Sequence, residues 1–200
     1  MRDPNCKLCP LHQGVKTVCI DGDGPAKPRV LFVGEAPGGD EDDVGRPFVG
    51  RSGQLLRSTL DRLRIPERFS CRFTNVVRCR PPGNRRPGPK EQRACRPFLE
   101  QELVETGPDL VVALGDVALR ATTGAGGVLK QAGRVVRGLH RGRVLISAHP
   151  AYVLRTEGYR KTFENILSTI PAIQEPAQGE PPLYAKPTPT EMRLLLARLP

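Results

Sequence analysis

Aromatic residues are scarce in this sequence of 200 residues, which contains no tryptophan and is only 4% aromatic. Long apolar runs are missing as well. No stretch of eighteen apolar residues occurs, so we expect no membrane-spanning helix. The first residues, MRDPNCKLCPLH, lack the apolar segment of a secretory signal, and we therefore expect a cytoplasmic protein. Neither a Gly-x-Gly-x-x-Gly fingerprint nor a Gly-Lys-Ser/Thr phosphate loop is present, so no nucleotide cofactor is predicted.

Acidic residues are outnumbered by basic ones, 21 against 31, which gives a formal net charge of +10. A surplus of this size favours a polyanionic partner such as nucleic acid, because basic side chains that contact phosphates release the condensed counterions. Arginine is much commoner than lysine. A GC-rich genome would explain that preference, but it would not explain the surplus.

Four short apolar runs rich in β-branched residues predict strands that are buried on both faces. Helical periodicity lies between and after them. Alternation of strand and helix predicts an α/β fold, a three-layer α/β/α sandwich with a central four-stranded parallel sheet. The predicted strands are Arg29–Gly34, Phe73–Cys79, Leu110–Gly115 and Arg143–Ser147, and the predicted helices are Gly53–Leu63, Glu91–Val104, Asp116–Ala121 and Tyr159–Ile170.

Two further segments stand apart from this pattern. Residues 126–142 are rich in glycine and basic residues, and we expect an excursion that contains a hairpin. From Pro171 onward the composition shifts to proline, glutamate, glutamine and threonine. We therefore predict one domain over residues 1–170, followed by a mobile Pro-rich tail over residues 171–200.

Unusual residues follow the predicted strands, at the sheet edge where α/β proteins bind ligands. After the first strand comes the turn Gly34-Glu35-Ala36-Pro37-Gly38, whose backbone N–H groups could bind an anionic or carbonyl oxygen. Phe48 is either a core residue or a platform on which a base stacks. The Asn75 amide could match one edge of a pyrimidine, and His149 follows the last strand. A plain turn and a structural histidine are the alternatives.

Four cysteines form a second group. Cys6 and Cys9 are separated by two residues at the N-terminus, and Cys79 and Cys95 by fifteen residues further along. Thiolates are soft ligands, so four that converge would suit zinc or an iron–sulfur cluster. Redox chemistry and coincidence remain open from the spacing alone. We expect the other two cysteines, Cys19 and Cys71, to be small buried apolar residues outside this group.

Three segments and the cysteine spacing together resemble the iron–sulfur uracil-DNA glycosylases, family 4 of their superfamily. The segments are GEAPGGDEDDVGRPFVGRSG, NVVRCRPPGNRRPG and HPAYVLR, in that order. The resemblance covers the chain from about Asp3 to about Ile170. It implies an α/β/α fold and a monofunctional enzyme that flips uracil out of DNA and hydrolyses its N-glycosidic bond. The product would be an abasic site, an intermediate of base excision repair.

The resemblance also implies roles for individual residues. Cys6, Cys9, Cys79 and Cys95 would hold a [4Fe-4S] cluster with a structural role, zinc being the alternative. The catalytic residues would be Glu35, Asn84 and His149, with either Glu35 or Asn84 positioning the water. Glu41 is a candidate for the wall that excludes the thymine methyl group. The uracil site would comprise Gly34, Glu35, Ala36, Pro37, Gly38, Glu41, Phe48, Asn75 and His149.

The implied partner is DNA that contains uracil, either double- or single-stranded, bound by a monomer. Contacts to the phosphates would come from Ser52 and Gly53 at a helix N-terminus and from the arginine-rich loop between the last two cysteines. Val153 and Leu154 are candidates for the apolar wedge that fills the place of the flipped base. The predicted DNA-binding residues are Ser52, Gly53, Arg85, Arg86, Val153, Leu154 and Arg155.

Two other classes of protein compete with this interpretation. A metal-stapled DNA-binding module without enzymatic activity would account for the charge and the cysteines, but it gives no reason for Glu35, Phe48, Asn75 and His149. An iron–sulfur flavin or electron-transfer protein would need a dinucleotide fingerprint, which the sequence lacks.

Overall fold

The sheet has five strands in a computed structural model that describes residues 3–66, 70–140 and 142–171. The spatial order is β2-β1-β3-β5-β4. β2, β1, β3 and β5 are parallel to one another, and β4 pairs antiparallel with β5 at the edge. The strands are β1 (Val30–Gly34), β2 (Cys71–Asn75), β3 (Leu110–Leu114), β4 (Val135–Arg137) and β5 (Arg143–Ser147).

The α/β class is confirmed, and the prediction of a four-stranded parallel sheet is wrong in one respect. Of the hairpin expected within residues 126–142, only β4 lies there, and it pairs with β5, which was predicted as a parallel strand. The sheet is therefore mixed and has a fifth strand. The second strand is also displaced from its prediction. It ends at Asn75 rather than Cys79, because the chain after Asn75 leaves the sheet in bends.

The described residues contain seven α-helices, and each predicted helix is present with shifted ends. None of them is both long and apolar enough to cross a bilayer. The helices are α1 (Gly39–Val44), α2 (Arg51–Arg62), α3 (Pro89–Thr106), α4 (Asp116–Thr123), α5 (Val128–Gln131), α6 (Pro150–Arg155) and α7 (Tyr159–Leu167). The predicted tail lies outside the described residues, apart from Pro171.

Two apolar clusters cover the two faces of the sheet, because successive strand residues point to opposite sides. On one face, Phe32 and Val112 pack with α2, α6 and α7. On the other, Leu31 and Val111 pack with α3 and α4. Helices therefore lie on both faces of a buried sheet, and the loops that follow the parallel strands meet at one edge.

Candidate active site

A crevice of about 370 Å³ opens at the carboxyl edge of the parallel strands. The loops after β1, β2 and β5 contribute to it, as does the N-terminal part of α2. Every segment that the sequence analysis placed at this edge is represented in the lining. The lining residues are Glu35, Ala36, Pro37, Gly38, Glu41, Phe48, Ser52, Asn75, Pro81, Asn84, Arg85, His149, Ala151 and Arg155.

Phe48 has an unusual backbone conformation in this crevice. Its φ is +57°, in the left-handed region that a non-glycine residue rarely adopts. The ring is buried and lies 5.8 Å from the ring of Phe73 and 6.3 Å from that of His149, measured between centroids. Because such backbone strain costs about 1–3 kcal/mol, the surrounding structure must hold it in place.

Asn75 is the last residue of β2 and pairs in register with Gly34 at the end of β1. A Cβ atom on Gly34 would lie 2.4 Å from the Asn75 Oδ1 and 2.6 Å from the Phe48 ring, so only glycine fits there. Among the described residues, no group hydrogen-bonds the Asn75 amide. Its donor and its acceptor are therefore available to a ligand in the crevice.

His149 is held in one tautomer. It caps the N-terminus of α6, and its Nδ1 accepts a hydrogen bond from the backbone N–H of Ala151 at 3.1 Å. The neutral ring therefore carries its proton on Nε2. Burial, aided by the nearby positive charge of Arg155, lowers the pKa of His149 to about 4. At neutral pH His149 is an uncharged hydrogen-bond donor.

Glu35 and Asn84 lie in the crevice with different surroundings. Burial raises the pKa of Glu35, although Arg86 opposes the shift. In the part of the chain that the structure describes, nothing hydrogen-bonds the Glu35 carboxylate. The Asn84 Oδ1, by contrast, accepts from the Nε of Arg80 at 2.7 Å. Glu35 is the residue with its acceptor oxygens free.

Glu41 joins two loops of the crevice through its buried carboxylate. One oxygen accepts from the backbone N–H of Gly38, at 3.0 Å. The other accepts from the N–H groups of Val49 and Gly50, at 3.0 and 2.8 Å. The glycine-rich turn after β1 is thus fastened to the loop that carries Phe48.

The sequence pattern of the uracil DNA glycosylase superfamily matches residues 22–173, which include the whole crevice. The chain is 41% identical to the type-4 uracil-DNA glycosylase of Pyrobaculum aerophilum, over 82% of this chain and 87% of the relative. It is 42% identical to the type-4 enzyme of Thermotoga maritima, over 77% and 80%. A type-5 uracil-DNA glycosylase of Thermus thermophilus is 33% identical over 76% and 77%.

The chain is a type-4 member of the uracil-DNA glycosylase superfamily. The family resemblance drawn from the three segments and the cysteine spacing is confirmed. Within this family, the side chains predicted at the base site from sequence, namely Glu35, Phe48, Asn75 and His149, lie around a single crevice.

The four cysteines of this type-4 chain line one small cavity, together with residues of α3. Burial raises the pKa of Cys79 to about 11 and that of Cys95 to about 12. Their sulfurs accept backbone N–H groups, from Cys19 and Arg78 respectively, both at 3.3 Å. Within residues 3–66, 70–140 and 142–171, no set of three side chains is arranged to hold a metal ion.

Sequence reasoning missed two features around these cysteines. Cys19 is buried as expected, but it lies on the cysteine cavity itself rather than apart from it. Arg78 is 1% exposed, lines the same cavity and forms ion pairs with Asp21 and Glu102. A basic residue before a cysteine was the only signal, and nothing local distinguishes it from a surface arginine.

The predicted DNA-binding residues differ in their exposure and partners. Leu154 is 46% exposed, whereas Val153 is buried in the core. Arg85 forms an ion pair with Glu91, and Arg86 with Asp116. Both arginines remain about half exposed. Gly53 is buried against the backbone of Phe48, while Ser52 and Arg155 line the crevice.

Proposed function

We propose that this type-4 family member is a monofunctional glycosylase that removes uracil from DNA by hydrolysis of the N-glycosidic bond. The observation that carries the proposal is the meeting of Phe48, Asn75 and His149 in one crevice, with the Asn75 amide and the Nε2–H of His149 available to a ligand. A base in a duplex cannot reach such a crevice, so the enzyme flips it out of the stack. The net charge of +10 supports binding to DNA.

Uracil is read by its pattern of donors and acceptors. The Asn75 amide accepts from the uracil N3–H and donates to O4, while the ring stacks on Phe48. Cytosine reverses both groups, so that donors face donors and acceptors face acceptors. A polar site of this kind discriminates on the order of 10⁴-fold between such bases.

Departure of the base leaves negative charge on uracil and positive charge on the sugar. The Nε2–H of His149 and the backbone N–H groups of Glu35 and Ala36, in the turn after β1, stabilise the charge on uracil O2. This role is supported by the hydrogen bond that fixes the tautomer and by the lowered pKa of His149. A neutral imidazole suffices for this role, because its N–H stabilises the uracil anion by a hydrogen bond and does not have to transfer the proton.

Water then attacks the sugar carbon, and Glu35 positions that water. The support for Glu35 over Asn84 is the hydrogen bond that already engages the Asn84 oxygen, whereas the carboxylate of Glu35 has no such partner among the described residues. The strength of the base is of secondary importance, since the leaving group has already departed. Asn84 lines the crevice and contacts the substrate near the scissile bond.

Leu154 is the wedge that fills the gap left by the flipped base. It is exposed on α6, five residues beyond His149, whereas Val153 is packed in the core. The phosphates on either side are gripped by Ser52 and the N–H groups at the start of α2. Arg85, Arg86 and Arg155 supply positive charge around the crevice.

Glu41 forms the wall beside uracil C5 that excludes the methyl group of thymine. Its three hydrogen bonds to backbone N–H groups support this role, since they hold the side chain rigidly in the crevice. With thymine opposite guanine as substrate, Glu41→Gly is expected to release thymine. Glu41→Gln, which keeps the volume, is expected not to, and equal release by both variants would contradict the role.

Cys6, Cys9, Cys79 and Cys95 would hold a [4Fe-4S] cluster, which would fasten the N-terminal segment to the loop after β2 and to α3. Four thiols, two of which already accept N–H groups, suit such a cluster. The Nε of Arg78 is buried without a hydrogen-bond partner among the described residues, and it offers a further donor beside the sulfurs. Bound there, such a cluster would supply a cross-link between these segments rather than electron transfer, and the residues of the crevice would cleave the bond without it.

The test is single-turnover cleavage of a labelled oligonucleotide that contains one deoxyuridine, followed by alkali to break the abasic site. Wild type should give an alkali-labile product. His149→Ala and Asn75→Ala should each reduce the rate by at least about 100-fold, as loss of a transition-state donor does. Ser58→Ala, on the exposed side of α2, serves as the control that retains the wild-type rate. An intact strand with folded wild-type protein would overturn the proposal.

A further inference from the structure

Phe48 needs support from its neighbours, because its φ of +57° is strained and the loop that carries it is short. Part of the support comes from Gly53, one turn into α2. A Cβ atom at position 53 would lie only 2.1 Å from the carbonyl oxygen of Phe48. The absence of a side chain there lets the loop backbone lie directly on the helix.

Arg57, one helical turn further along α2, contacts the same carbonyl group. Its Nε donates to the Phe48 oxygen at 3.0 Å, and one of its terminal nitrogens lies 3.4 Å from the oxygen of Pro47. Residues at i and i+4 share one face of a helix. Gly53 and Arg57 therefore present a single surface on which the strained backbone of Phe48 rests.

The guanidinium of Arg57 is itself fixed from two sides. Its centre lies 4.2 Å from the centroid of the Phe73 ring, which packs in turn against the ring of Phe48. A terminal nitrogen forms an ion pair with Asp23 at 2.9 Å. Asp23 is tied to β2, since it exchanges two backbone hydrogen bonds with Phe73. The side chain is only 23% exposed, so these contacts are shielded from solvent.

We infer that Arg57 is a positioning residue for uracil binding: it locks the Phe48 platform through the Phe48 carbonyl while remaining outside the crevice. The inference rests on the proposed function, since it concerns the same base site. Arg57 is not among the residues that line the crevice, so its effect on uracil is transmitted through Phe48. Without it, the loop is free to relax from its strained conformation, and the ring loses its fixed distance from Asn75 and His149.

The test compares Arg57→Gln with Arg46→Gln. Arg46 pairs with the same Asp23 carboxylate at 3.0 Å, but its side chain is 60% exposed, so this ion pair is open to solvent. Arg57→Gln should raise the inhibition constant of free uracil roughly 5-fold, consistent with the loss of one shielded hydrogen bond. Binding to an oligonucleotide with an abasic site, which has no base to stack, should be unchanged. Arg46→Gln should leave both constants at their wild-type values.

Arg57→Lys keeps the positive charge beside Asp23 but lacks the Nε–H that donates to Phe48. It is the control for general destabilisation of the fold. It should weaken uracil inhibition as Arg57→Gln does while keeping a melting temperature closer to wild type. Wild-type inhibition by uracil in either Arg57 variant, or equal weakening in Arg46→Gln, would overturn the inference. If wild type itself released no uracil from DNA, the proposed function would fail instead, so the two failures are distinguishable.

Discussion

His149 performs two tasks with one imidazole ring. Its Nδ1 closes the first turn of α6, and that bond leaves the proton on Nε2, where it faces the crevice. The sequence predicts a histidine at the end of a buried strand, but the tautomer follows from the folded position of the Ala151 N–H. The low pKa follows from burial beside Arg155, which no local pattern reveals.

As pH is lowered from neutrality, the rate of cleavage should respond to protonation of Glu35 before it responds to protonation of His149. Burial raises the pKa of Glu35, so as pH falls this carboxylate takes up its proton above the ordinary glutamate value, and the water-positioning role proposed for it would then be lost. The pKa of His149 is lowered to about 4, so the ring stays neutral until pH approaches that value. We expect kcat on a deoxyuridine oligonucleotide to be flat at neutral pH, with an acid limb above pH 4.

Glu35→Gln separates the two groups. Its lower residual activity should stay level until the pH approaches 4, where His149 becomes charged. Enzyme returned to neutral pH after each measurement controls for acid damage. An acid limb near pH 6.5 that persists in Glu35→Gln would show that His149 titrates at the ordinary histidine pKa. That result would contradict the conclusion that burial keeps the ring neutral.

Crevice residues were predictable from sequence where they follow a strand or interrupt an apolar run. Asn75 and His149 are of this kind, whereas Phe48 was noticed as one of the few aromatic residues of the sequence. Asp42 and Arg57 were not predictable, because their partners are distant in sequence. Asp42 belongs to an acidic run that usually indicates solvated surface, yet it is 3% exposed and accepts N–H groups from Lys16 and Thr17.

Helix α2 contacts the crevice, the loop that carries Phe48 and the sheet. Its N-terminus opens on the crevice at Ser52, its buried glycine accommodates the Phe48 loop, and its leucines anchor it to the sheet. The sequence predicts this helix from the spacing of Leu55, Leu56 and Leu60. It does not predict the tight contact at Gly53, since a glycine in a helix is otherwise only a weak point.

Gly53→Ala should reverse the usual effect of that substitution. Alanine normally stabilises a helix interior by about 0.5–1 kcal/mol relative to glycine. Here the new Cβ would overlap the backbone of Phe48, so we expect a loss of about 1–3 kcal/mol in the free energy of unfolding, as for other overpacked sites. The free energy of unfolding, measured by urea denaturation, and kcat/KM for uracil release should both be lower than in wild type.

Ser58→Ala is the matched control for Gly53→Ala, because it adds alanine to the exposed side of the same helix. It should be neutral or slightly stabilising, with unchanged kcat/KM. A Gly53→Ala variant that is as stable and as active as wild type would show that the loop can move away from α2 without consequence.

The sheet shows which elements can be inferred from periodicity. The four parallel strands carry continuous apolar runs, so their existence was predictable, although the end of β2 was not. β4 was anticipated only as part of a hairpin, because its three residues are mostly exposed and lie between glycines. Its pairing is decided by β5, to which its backbone hydrogen-bonds.

The N-terminal segment lies against the loop after β2 and against α3, where the four cysteines line one cavity. Cys6 and Cys9 come from the N-terminal segment, Cys79 follows β2, and Cys95 lies on α3. A cluster held by all four would cross-link more than eighty residues of chain, so its binding free energy would add to the stability of the fold.

Purified protein should be brown, with absorbance at about 400 nm from an iron–sulfur cluster. Cys95→Ala should lose this absorbance and melt at a lower temperature, because one ligand and the cross-link it makes are gone. Cys19→Ala is the control, since Cys19 is buried at the same cavity but is not one of the four proposed ligands. It should keep its colour.

Metal analysis decides among the alternatives. Colourless protein with one equivalent of zinc would replace the cluster by a structural zinc site. Colourless, metal-free and stable protein would contradict any metal-holding role for the four cysteines. Loss of colour in Cys19→Ala as well would mean that the fifth cysteine takes part.

The capping bond of His149 has a mechanical consequence. Leu154 and His149 belong to one short rigid body, helix α6 with its cap, about 9 Å from end to end at 1.5 Å per residue. If Leu154 senses whether a base has left the stack, the imidazole moves with the sensor. Undamaged duplex that keeps Leu154 out would then also keep the Nε2–H donor of His149 away from every base that the enzyme passes. Detection of a missing base in the stack and delivery of the hydrogen-bond donor would then depend on the same movement of α6. The enzyme would therefore scan intact DNA without cleaving its glycosidic bonds.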